Sequence, residues 1–314
     1  MPEMPEYEVV VVGGGVAGCT AALYAQRYNL DVVLLEKGSP GGMTATAAKV
    51  ENYPGFPEGI GGVDLAERVH KQAENAGVRC LMSAAKGIEA DGDKWLLHTS
   101  TGDIRSLAVI VCAGAFPRSM MVPGEKELRH AGVSYCATCD GFFYKGRVLA
   151  VVGGGNTAVD EAVYLSEIAA KVYLVHRRDE LRAESYLQER AFARPNIEMV
   201  WNSVPTAVLG EAEVVGLRVR DVKTDEERDL QLDGVFVAIG HIAQTDWLGD
   251  VVKLKDRFIE TDREMATSAP GIFAAGDIRD TPLRQITTAV GDASIAAYSA
   301  YHYVAARRRI VKAG

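Results

Sequence analysis

The feature that most restricts the fold of this 314-residue chain is a unit that occurs twice in the sequence. In the first copy, an apolar stretch at residues 9–12 leads into the glycine turn GGGVAG at 13–18, then into a helical stretch and a second apolar stretch that ends in Glu36. The same order begins again at 148–152 and continues through GGGNTA at 153–158. A short β-branched run followed by a glycine turn and a helix is typical of dinucleotide-binding folds with buried parallel strands. The sequence therefore predicts an α/β protein with two Rossmann-like, dinucleotide-binding domains.

The two copies differ at the end of their second strand, where such folds select the cofactor. Glu36 closes this strand in the first copy, and a carboxylate there accepts a hydrogen bond from a ribose 2′-hydroxyl but repels a 2′-phosphate. The second copy instead has His176, Arg177 and Arg178, with Arg182 a little further on. Guanidinium groups hold a phosphate through forked hydrogen bonds. These residues predict FAD in the first site and NADPH in the second, and the alternative is that the cationic cluster is only a solvated strand end.

The regions around the two copies predict how the domains are joined. In each half a polar, alternating region precedes an apolar strand that ends at a glycine. Such a region is typical of a small antiparallel meander, and we predict one packed on each parallel sheet. The natural linkers are residues 115–117 and the stretch after Gly240. We therefore predict an FAD-binding domain made of residues 1–117 and 244–314, with the NADPH-binding domain, residues 118–243, inserted into it.

Two of the five cysteines, Cys136 and Cys139, are separated by two residues. Such a pair can be half a zinc site, a redox pair or a coincidence. A structural zinc site needs a second close pair of Cys or His, but the chain has no second C-x-x-C and its six histidines are dispersed. We therefore predict thiol–disulfide chemistry and no metal. The remaining cysteines, Cys19, Cys80 and Cys112, are expected to be small core residues.

Composition and charge restrict the partners. The net charge is −8, which disfavours binding to nucleic acid or to an anionic membrane surface. No apolar run approaches the roughly 18 residues needed to span a bilayer. The N-terminal residues lack the basic and then apolar regions of a secretory signal. A cytoplasmic protein with no nucleic-acid or membrane partner is expected.

Taken together, these motifs resemble the low-molecular-weight thioredoxin reductases of bacteria and archaea. The resemblance covers essentially the whole chain, and it is carried by ENYPG at 51–55, CATCDG at 136–141, GGGNTA at 153–158, HRRDELRA at 176–183, GIFAAGD at 271–277 and RQI at 284–286. It implies two three-layer dinucleotide-binding domains, a homodimer as the active form, and transfer of electrons from NADPH through FAD and the cysteine pair to thioredoxin.

The resemblance also implies roles for individual residues. Cys139 would face the flavin and take its electrons, and Cys136 would attack the thioredoxin disulfide. Asp140 would donate and accept the proton, although Asp-Gly is also a common turn sequence. The residues implied to hold FAD are Gly13, Gly15, Gly18, Glu36, Gly42, Asn52, Gly114, Asp277, Arg284, Gln285 and Ile286. Those implied to hold NADPH are Gly153, Gly155, Asn156, Thr157, His176, Arg177, Arg178 and Arg182.

Two segments depart from the pattern of that family. The family usually has Gly-Gly-Gln where this chain has Gly41-Gly42-Met43, so a polar contact with the flavin is expected to be missing. The sequence GDAS at 291–294 replaces a segment that is commonly richer in glycine and cysteine. Both departures are expected near the flavin.

Other functions remain open on the sequence alone. The same scaffold could reduce another disulfide protein, such as a peroxiredoxin or a glutaredoxin-like partner, or it could be a non-catalytic flavin redox sensor. Related flavoproteins draw electrons from ferredoxin or a deazaflavin, but the cationic cluster that begins at His176 favours NADPH. Because the cysteine pair follows the linker at 115–117, it travels with the NADPH-binding domain. This placement predicts a rotation of residues 118–243 about the two linkers during turnover.

Overall fold

A computed structural model describes residues 4–47 and 49–313 of the chain. The chain divides into two compact units. The first unit contains Met1–Phe116 and Ala243–Gly314, and the second contains Pro117–Ile242. The second unit is therefore an insertion between the two segments of the first.

The first segment of the first unit contains six strands that form its main sheet, one short strand and two helices. In chain order they are β1 (Glu6–Val12), α1 (Val16–Arg27), β2 (Val32–Glu36), α2 (Gly62–Asn75), β3 (Arg79–Met82), β4 (Ala85–Asp91), β5 (Lys94–Thr99), β6 (Ile104–Val111) and β7 (Ala115–Pro117), whose last residue is the first of the second unit. A 3₁₀ turn, Gly42–Thr46, lies between β2 and α2.

The inserted unit follows the same plan with shorter helices. In chain order its elements are β8 (Val133–Ser134), α3 (Ala137–Asp140), β9 (Val148–Val152), α4 (Asn156–Ser166), β10 (Lys171–Val175), α5 (Ser185–Phe192), β11 (Ile197–Val200), β12 (Ser203–Leu209), β13 (Gly216–Asp221), β14 (Glu227–Gln231) and β15 (Gly234–Val237). The next strand, β16 (His241–Ala243), begins in this unit and ends at the first residue of the returning segment. A 3₁₀ turn, Gly141–Tyr144, follows α3 directly.

The chain then returns to the first unit. Its last elements are β17 (Leu254–Lys255), β18 (Phe258–Ile259), β19 (Ile272–Ala274) and α6 (Ile286–Ala313), with 3₁₀ turns at Asp246–Leu248 and Gly276–Ile278. Within the part of the chain that is described, no helix is both long and apolar enough to cross a membrane.

The main sheet of the first unit is organised around β6. Strands β3, β2, β1 and β6 are parallel neighbours, and β19 pairs in parallel with the last residues of β6. The first residues of β6 pair instead with β5 in antiparallel fashion, and β5 pairs with β4. Side chains of β6 alternate in burial at first and are then continuously buried, as expected where a half-exposed ribbon joins a covered parallel sheet. The predicted meander of this half is therefore an extension of the main sheet rather than a separate layer.

Helices and apolar side chains cover both faces of this sheet. One cluster joins alternate β1 residues such as Val9 and Val11 to apolar residues of α1 and α6, which pack on the same face. The opposite cluster joins Val10 and Val12 to Ile88, Leu97 and other apolar side chains. The continuous Val-Val-Val-Val run of β1 follows from this burial on both faces.

In the second unit the sheet is parallel, with the strand order β11-β10-β9-β15-β8. Helices α4 and α5 cover one face through apolar side chains such as Val159 and Leu187. The antiparallel sheet β12-β13-β14 covers the other face through residues such as Leu217 and Val219. The predicted α/β class with two Rossmann-like domains is confirmed.

Candidate active site and cofactor sites

In the first glycine turn, protein atoms exclude a Cβ at Gly13 and Gly18 but leave room for one at Gly15. Gly13 has φ +109°, and a Cβ there would lie 2.5 Å from the Cys112 carbonyl oxygen. A Cβ on Gly18 would lie 1.7 Å from the Gly13 carbonyl oxygen, so only glycine lets α1 pack on the turn. Gly15 differs, because its φ is −74° and the nearest atom to an added Cβ is the Gly42 Cα at 3.8 Å. No protein atom requires glycine at position 15, whereas the close approach of a ligand would.

The second glycine turn likewise has one glycine, Gly153, where protein atoms exclude a Cβ and another, Gly155, where there is room for one. Gly153 has φ +153°, and a Cβ there would lie 2.4 Å from the Ala238 carbonyl oxygen. Gly155 has φ −95°, and no atom of the described residues lies within 4 Å of the position of an added Cβ. Gly15 and Gly155 are the N-caps of α1 and α4, and no side chain caps either helix. Free N–H groups beside an open glycine suit the pyrophosphate of a dinucleotide in both units.

Glu36 is oriented by the backbone of the first turn. Its Oε2 accepts a hydrogen bond from Gly14 N–H at 2.6 Å, and its Oε1 accepts one from Gly38 N–H at 2.8 Å. The carboxylate is thereby held at the end of β2, next to the glycine turn. Its oxygens retain further lone pairs that can accept from a ribose hydroxyl.

His176 occupies the corresponding position of the second unit, and its side chain is 5% exposed. A Cβ on Gly154 would lie 2.3 Å from His176 Nδ1, so the ring packs directly against the turn. Burial and the positive charges of Arg182, Arg177 and Arg178 lower the pKa of His176. Among the described residues its Nε2 atom has no hydrogen-bond partner. A neutral ring therefore stands where the first unit has a carboxylate.

The three arginines of this cluster are all exposed beside the second turn. Arg182 N–H donates to the Gly154 carbonyl oxygen at 2.7 Å, which ties the cationic loop to the glycine turn. Asn156 Nδ2 donates to Glu184 Oε1 at 3.2 Å, and Thr157 is exposed in the first turn of α4. The sequence-predicted residues of the second cofactor site thus lie around one end of this unit's parallel sheet.

The predicted flavin residues of the chain's last segment meet near the start of α6. Burial raises the pKa of Asp277 to about 6, an effect that Arg284 opposes and Asp292 reinforces. Arg284 Nε lies 3.4 Å from the Asp277 carbonyl oxygen, and its guanidinium lies over the Phe258 ring with 4.2 Å to the centroid. These contacts hold Asp277 and Arg284 on the same face of the turn that precedes α6.

Asn52 reaches the same place from the other segment of the first unit. Its Nδ2 donates to Gln285 Oε1 at 3.0 Å, and Ile286 is the first residue of α6. The remaining two predicted positions are glycines with positive φ, namely Gly42 at +56° and Gly114 at +69°. Both conformations favour glycine, and Gly42 Cα also faces Gly15 across the turn.

Sequence reasoning missed a partly buried ion pair beside Asp277. Arg279 Nη1 lies 2.6 Å from Asp292 Oδ2, and the two side chains are only 12% and 16% exposed. Gly276 N–H donates to the same Asp292 oxygen at 3.3 Å, and Arg279 Nε donates to Thr261 Oγ1 at 2.7 Å. The pair ties the Gly276–Ile278 turn to α6. In the sequence, the only indication of this ion pair was the departure from the family pattern at residues 291–294.

Cys136 and Cys139 form a disulfide at the start of α3. Cys136 is the N-cap of this short helix, and Cys139 N–H donates to the Cys136 carbonyl oxygen at 3.2 Å. Cys136 is half-buried and Cys139 is exposed. The predicted pairing of these two sulfurs as a redox-active disulfide is compatible with this geometry. Of the remaining cysteines, Cys19 and Cys112 are free and buried as expected, whereas Cys80 is free and half-buried on β3.

Ser134 connects the two ends of the cysteine turn. Its Oγ donates to Asp140 Oδ2 at 2.5 Å and accepts from Cys136 N–H at 3.1 Å. Tyr135 is anchored beside it, because its hydroxyl donates to Glu125 Oε1 at 2.8 Å. Burial and the hydrogen bond to Glu125 raise the pKa of Tyr135 to about 12, so the phenol remains a donor. The turn is thus held from both sides.

Two further features of this site were not singled out from the sequence. Phe142 and Phe143, on the 3₁₀ turn after Asp140, are 72% and 53% exposed. Glu161 of α4 accepts a hydrogen bond from Ala137 N–H, inside the cysteine turn, at 3.4 Å. The pair of phenylalanines that follows CATCDG was the available signal for the first feature, and no local pattern indicated the second. No three His, Cys, Asp or Glu side chains of the described ranges come together as metal ligands.

Comparison with known proteins shows the family of this chain. Residues 7–293 match the family described as pyridine nucleotide-disulphide oxidoreductase. The chain is 44% identical over 307 residues to a thioredoxin reductase of Bacillus subtilis, covering 97% of this chain and 96% of that protein. It is similar to the crystal structure of thioredoxin reductase from Streptococcus pyogenes, with 42% identity, a TM-score of 0.91 and coverage of 97% and 100%. A ferredoxin-flavin thioredoxin reductase from Clostridium acetobutylicum is 30% identical, with a TM-score of 0.54 and coverage of 97% and 100%.

Proposed function

The chain belongs to the pyridine nucleotide-disulphide oxidoreductases, and we propose that it is an NADPH-dependent thioredoxin-disulfide reductase that uses FAD. The observation that carries this proposal is the Cys136–Cys139 disulfide, which lies in the same compact unit as the cluster of His176 and its arginines. Thioredoxin reductases of nearly the same length share more than two-fifths of their residues with this chain.

The residues present fit both dinucleotides. The open glycines Gly15 and Gly155, each at an uncapped helix N-terminus, leave room for a pyrophosphate in each unit. In the first unit FAD would be held by Gly13, Gly15, Gly18, Glu36, Gly42, Asn52, Gly114, Asp277, Arg284, Gln285 and Ile286. In the second unit NADPH would be held by Gly153, Gly155, Asn156, Thr157, His176, Arg177, Arg178 and Arg182.

When both cofactors are bound, they supply two electrons for reduction of the Cys136–Cys139 disulfide. Reduction breaks the S–S bond, and uptake of one proton leaves one thiol and one thiolate. Asp140 would deliver this proton to the cysteine pair and take it back when the disulfide forms again, because Ser134 orients its carboxylate across the turn. The Cys136 thiolate would attack the disulfide of thioredoxin, and Cys139 would then attack the mixed disulfide. This second step releases reduced thioredoxin and restores the Cys136–Cys139 bond.

The surroundings of the cysteine pair support a protein as the substrate. Phe142 and Phe143 form an exposed aromatic patch that begins two residues after Asp140. Exposed aromatic side chains of this kind are typical of interface residues that contribute much of the binding energy. The same patch could serve another disulfide protein, such as a peroxiredoxin or a glutaredoxin-like partner, and only a comparison of substrates separates these.

A second question is whether NADPH or ferredoxin donates the electrons. The similar ferredoxin-flavin thioredoxin reductase draws attention to ferredoxin as an alternative. Arg177, Arg178 and Arg182 are exposed beside the turn that begins at Gly153, and no carboxylate takes the position of Glu36 in that unit. A phosphate on the ribose would find forked cationic donors there, so we favour NADPH.

We further propose a homodimer as the active form and the cytoplasm as its location. Helices α1 and α6 carry a surface cluster of tyrosines in which the Tyr28 ring stacks on Tyr301 and meets Tyr298 edge-on. Tyr298 and Ile295 are exposed beside it. Such a patch suits association with a second copy. Free thiols on β3 and in the core suit a reducing compartment.

A steady-state assay tests the function directly. Consumption of NADPH is followed with a chromogenic disulfide, first without and then with thioredoxin. Turnover that depends on thioredoxin supports the proposal. Turnover only with a peroxiredoxin or glutaredoxin-like protein would change the substrate, and reduction of the bound flavin without turnover on any disulfide would make the protein a redox sensor. Light scattering of the same preparation measures the oligomeric state.

A further inference from the structure

Helix α4 places a carboxyl group under the cysteine turn. Glu161 Oε1 accepts a long hydrogen bond, 3.4 Å, from the N–H of Ala137. Ala137 directly follows Cys136 and is itself fully buried, so the carboxylate contacts the residue next to a redox cysteine. The mechanism described above does not use this group.

The second oxygen of the carboxylate is unusual. Glu161 Oε2 is closed off from solvent and has no hydrogen-bond partner among the residues that the structure describes. A charged oxygen in such a place is unfavourable, because neither water nor a donor compensates for its desolvation. Burial, with a contribution from the neighbouring charge of Asp160, accordingly raises the pKa of Glu161 to about 7, although the bond from Ala137 opposes the shift.

The two other carboxylates of α3 and α4 have their own partners. Asp160, on the same helix, pairs with Arg190 of α5 at 3.6 Å. Asp140 of α3 accepts from Ser134. The cysteine pair on α3 is neutral as a disulfide but carries a negative charge when it is reduced to a thiol and a thiolate. Reduction of the cysteine pair therefore changes the charge at the turn that Glu161 contacts.

We propose that Glu161 is a positioning residue for the redox pair: its carboxylate holds the turn through Ala137 N–H, and its negative charge opposes a thiolate at that turn. Two like charges at the same turn disfavour each other, so a thiolate in the reduced pair favours the protonated form of Glu161. Reduction of the disulfide by two electrons then brings one proton to the thiol and, near neutral pH, a further proton from solvent to the Glu161 carboxylate. This inference deepens the proposed function, because it concerns the same cysteine pair.

The experiment needs neither NADPH nor thioredoxin. The full-length protein is reduced with dithiothreitol, freed of the reductant and alkylated with iodoacetamide at a series of pH values, and mass spectrometry measures the modification of Cys136 and Cys139. Glu161→Gln keeps the size of the side chain and an oxygen that can accept from Ala137 N–H, but removes the charge. Glu167→Gln is the matched control, because Glu167 follows the same helix, is exposed and pairs with Arg194.

The expected result depends on pH. At about pH 5.5 Glu161 is neutral, and the wild type and Glu161→Gln should react equally fast. At about pH 8 the variant should react several-fold faster, since a rise of one unit in a thiol pKa lowers the thiolate fraction by up to about tenfold. A purely structural role would change both rates or neither. Equal rates at both pH values, or the same change at both, would overturn the inference.

A second measurement decides the matter if Glu161→Gln does not fold. In the wild type the ionisation of Glu161 raises the thiol pKa while the thiol titrates, so the alkylation rate between about pH 6 and pH 8 should follow two coupled ionisations and not the curve of a single one. A profile with a single ionisation of unit slope would overturn the inference. Neither result depends on thioredoxin reduction, so failure of the proposed function would be recognised separately, in the NADPH assay.

Discussion

Ser134 Oγ donates a hydrogen bond to Asp140 Oδ2 at 2.5 Å, across the turn that holds the Cys136–Cys139 disulfide. The same oxygen accepts from Cys136 N–H, so one hydroxyl orients both the backbone of a cysteine and the carboxylate beside the pair. The Asp-Gly sequence on its own is compatible with a plain turn. The bond from Ser134 supports the proton-carrying role that we propose for Asp140, because it fixes the direction of the carboxylate.

Replacement of Asp140 and of Ser134 should therefore affect turnover to different degrees. Asp140→Asn removes the proton carrier and should lower kcat with thioredoxin by about 10²-fold. Ser134→Ala removes the orienting bond, which is worth about 0.5–1.5 kcal/mol, together with the acceptor for Cys136 N–H, and should lower kcat by about two- to tenfold. Steady-state kinetics over a range of pH measures both. An Asp140→Asn enzyme with the pH profile and rate of the wild type would show that the carboxylate carries no proton.

Replacement of Cys136 and of Cys139 should block different steps of electron transfer. Cys136→Ser should abolish reduction of thioredoxin while NADPH still reduces the bound flavin, because the outer thiol is needed only for disulfide exchange. Cys139→Ser should also abolish turnover, because electrons can then no longer enter the pair. Cys80→Ser is the control, since Cys80 is a free thiol on β3. Stopped-flow absorbance follows flavin reduction, and retention of thioredoxin reduction by either active-site variant would contradict the relay.

The two open glycines predict a reciprocal pair of binding defects. Gly15→Ala adds a methyl group that meets protein atoms no closer than 3.8 Å, so the protein should fold but bind FAD at least about tenfold more weakly. Gly155→Ala, where no atom lies within 4 Å, should spare FAD and weaken NADPH by a similar factor. Calorimetry with each dinucleotide measures both constants. Each variant is the control for the other, and unchanged affinities would show that neither pyrophosphate lies on its turn.

Preference for NADPH over NADH should reside in the exposed arginines. Charge-assisted hydrogen bonds are worth about 1.5–3 kcal/mol each, so two lost together correspond to about 10²–10⁴ in preference. Arg177→Ala combined with Arg178→Ala should erase most of the discrimination, measured as the ratio of kcat/KM for the two donors. Arg194→Ala, which removes an exposed arginine that pairs with Glu167, should leave the ratio unchanged. Equal use of NADH by the wild type would refute the assignment.

Asp277 should make the FAD-free protein less stable as pH rises. Burial raises its pKa from 3.8 to about 6, so the folded state binds the proton more tightly than the unfolded chain does. Ionisation of the buried carboxyl group therefore lowers the free energy of unfolding between about pH 4 and pH 6, and the loss reaches up to about 3 kcal/mol above that range. Asp277→Asn should raise the free energy of unfolding at about pH 7.5 and leave it unchanged near pH 3. Denaturant unfolding at the two pH values measures the difference, and an equal gain at both would contradict a buried charge.

The local order of the two βαβ units could be predicted from the sequence, because a strand, a tight turn and a helix depend on residues that are close along the chain. The predicted strand at 148–152 coincides with β9, and the strand that closes at Glu36 coincides with the end of β2. Positive φ at Gly13 and Gly153 follows from the same local pattern. The insertion of one unit into the other also follows, since a second nucleotide-binding unit interrupts the first.

The tertiary structure alone decided which side chains meet. Glu161 reaches Ala137 from another helix, and Arg279 pairs with Asp292 of α6, yet neither contact leaves a periodic mark in the sequence. The same holds for the joining of the first meander to the main sheet through β6. Roles of single site residues, the homodimer and the rotation of residues 118–243 stay predictions. Hydrophobic and glycine patterns record what each segment must bury or how it must turn, whereas contacts between segments depend on the register in which distant elements pack. That register exists only once the chain has folded.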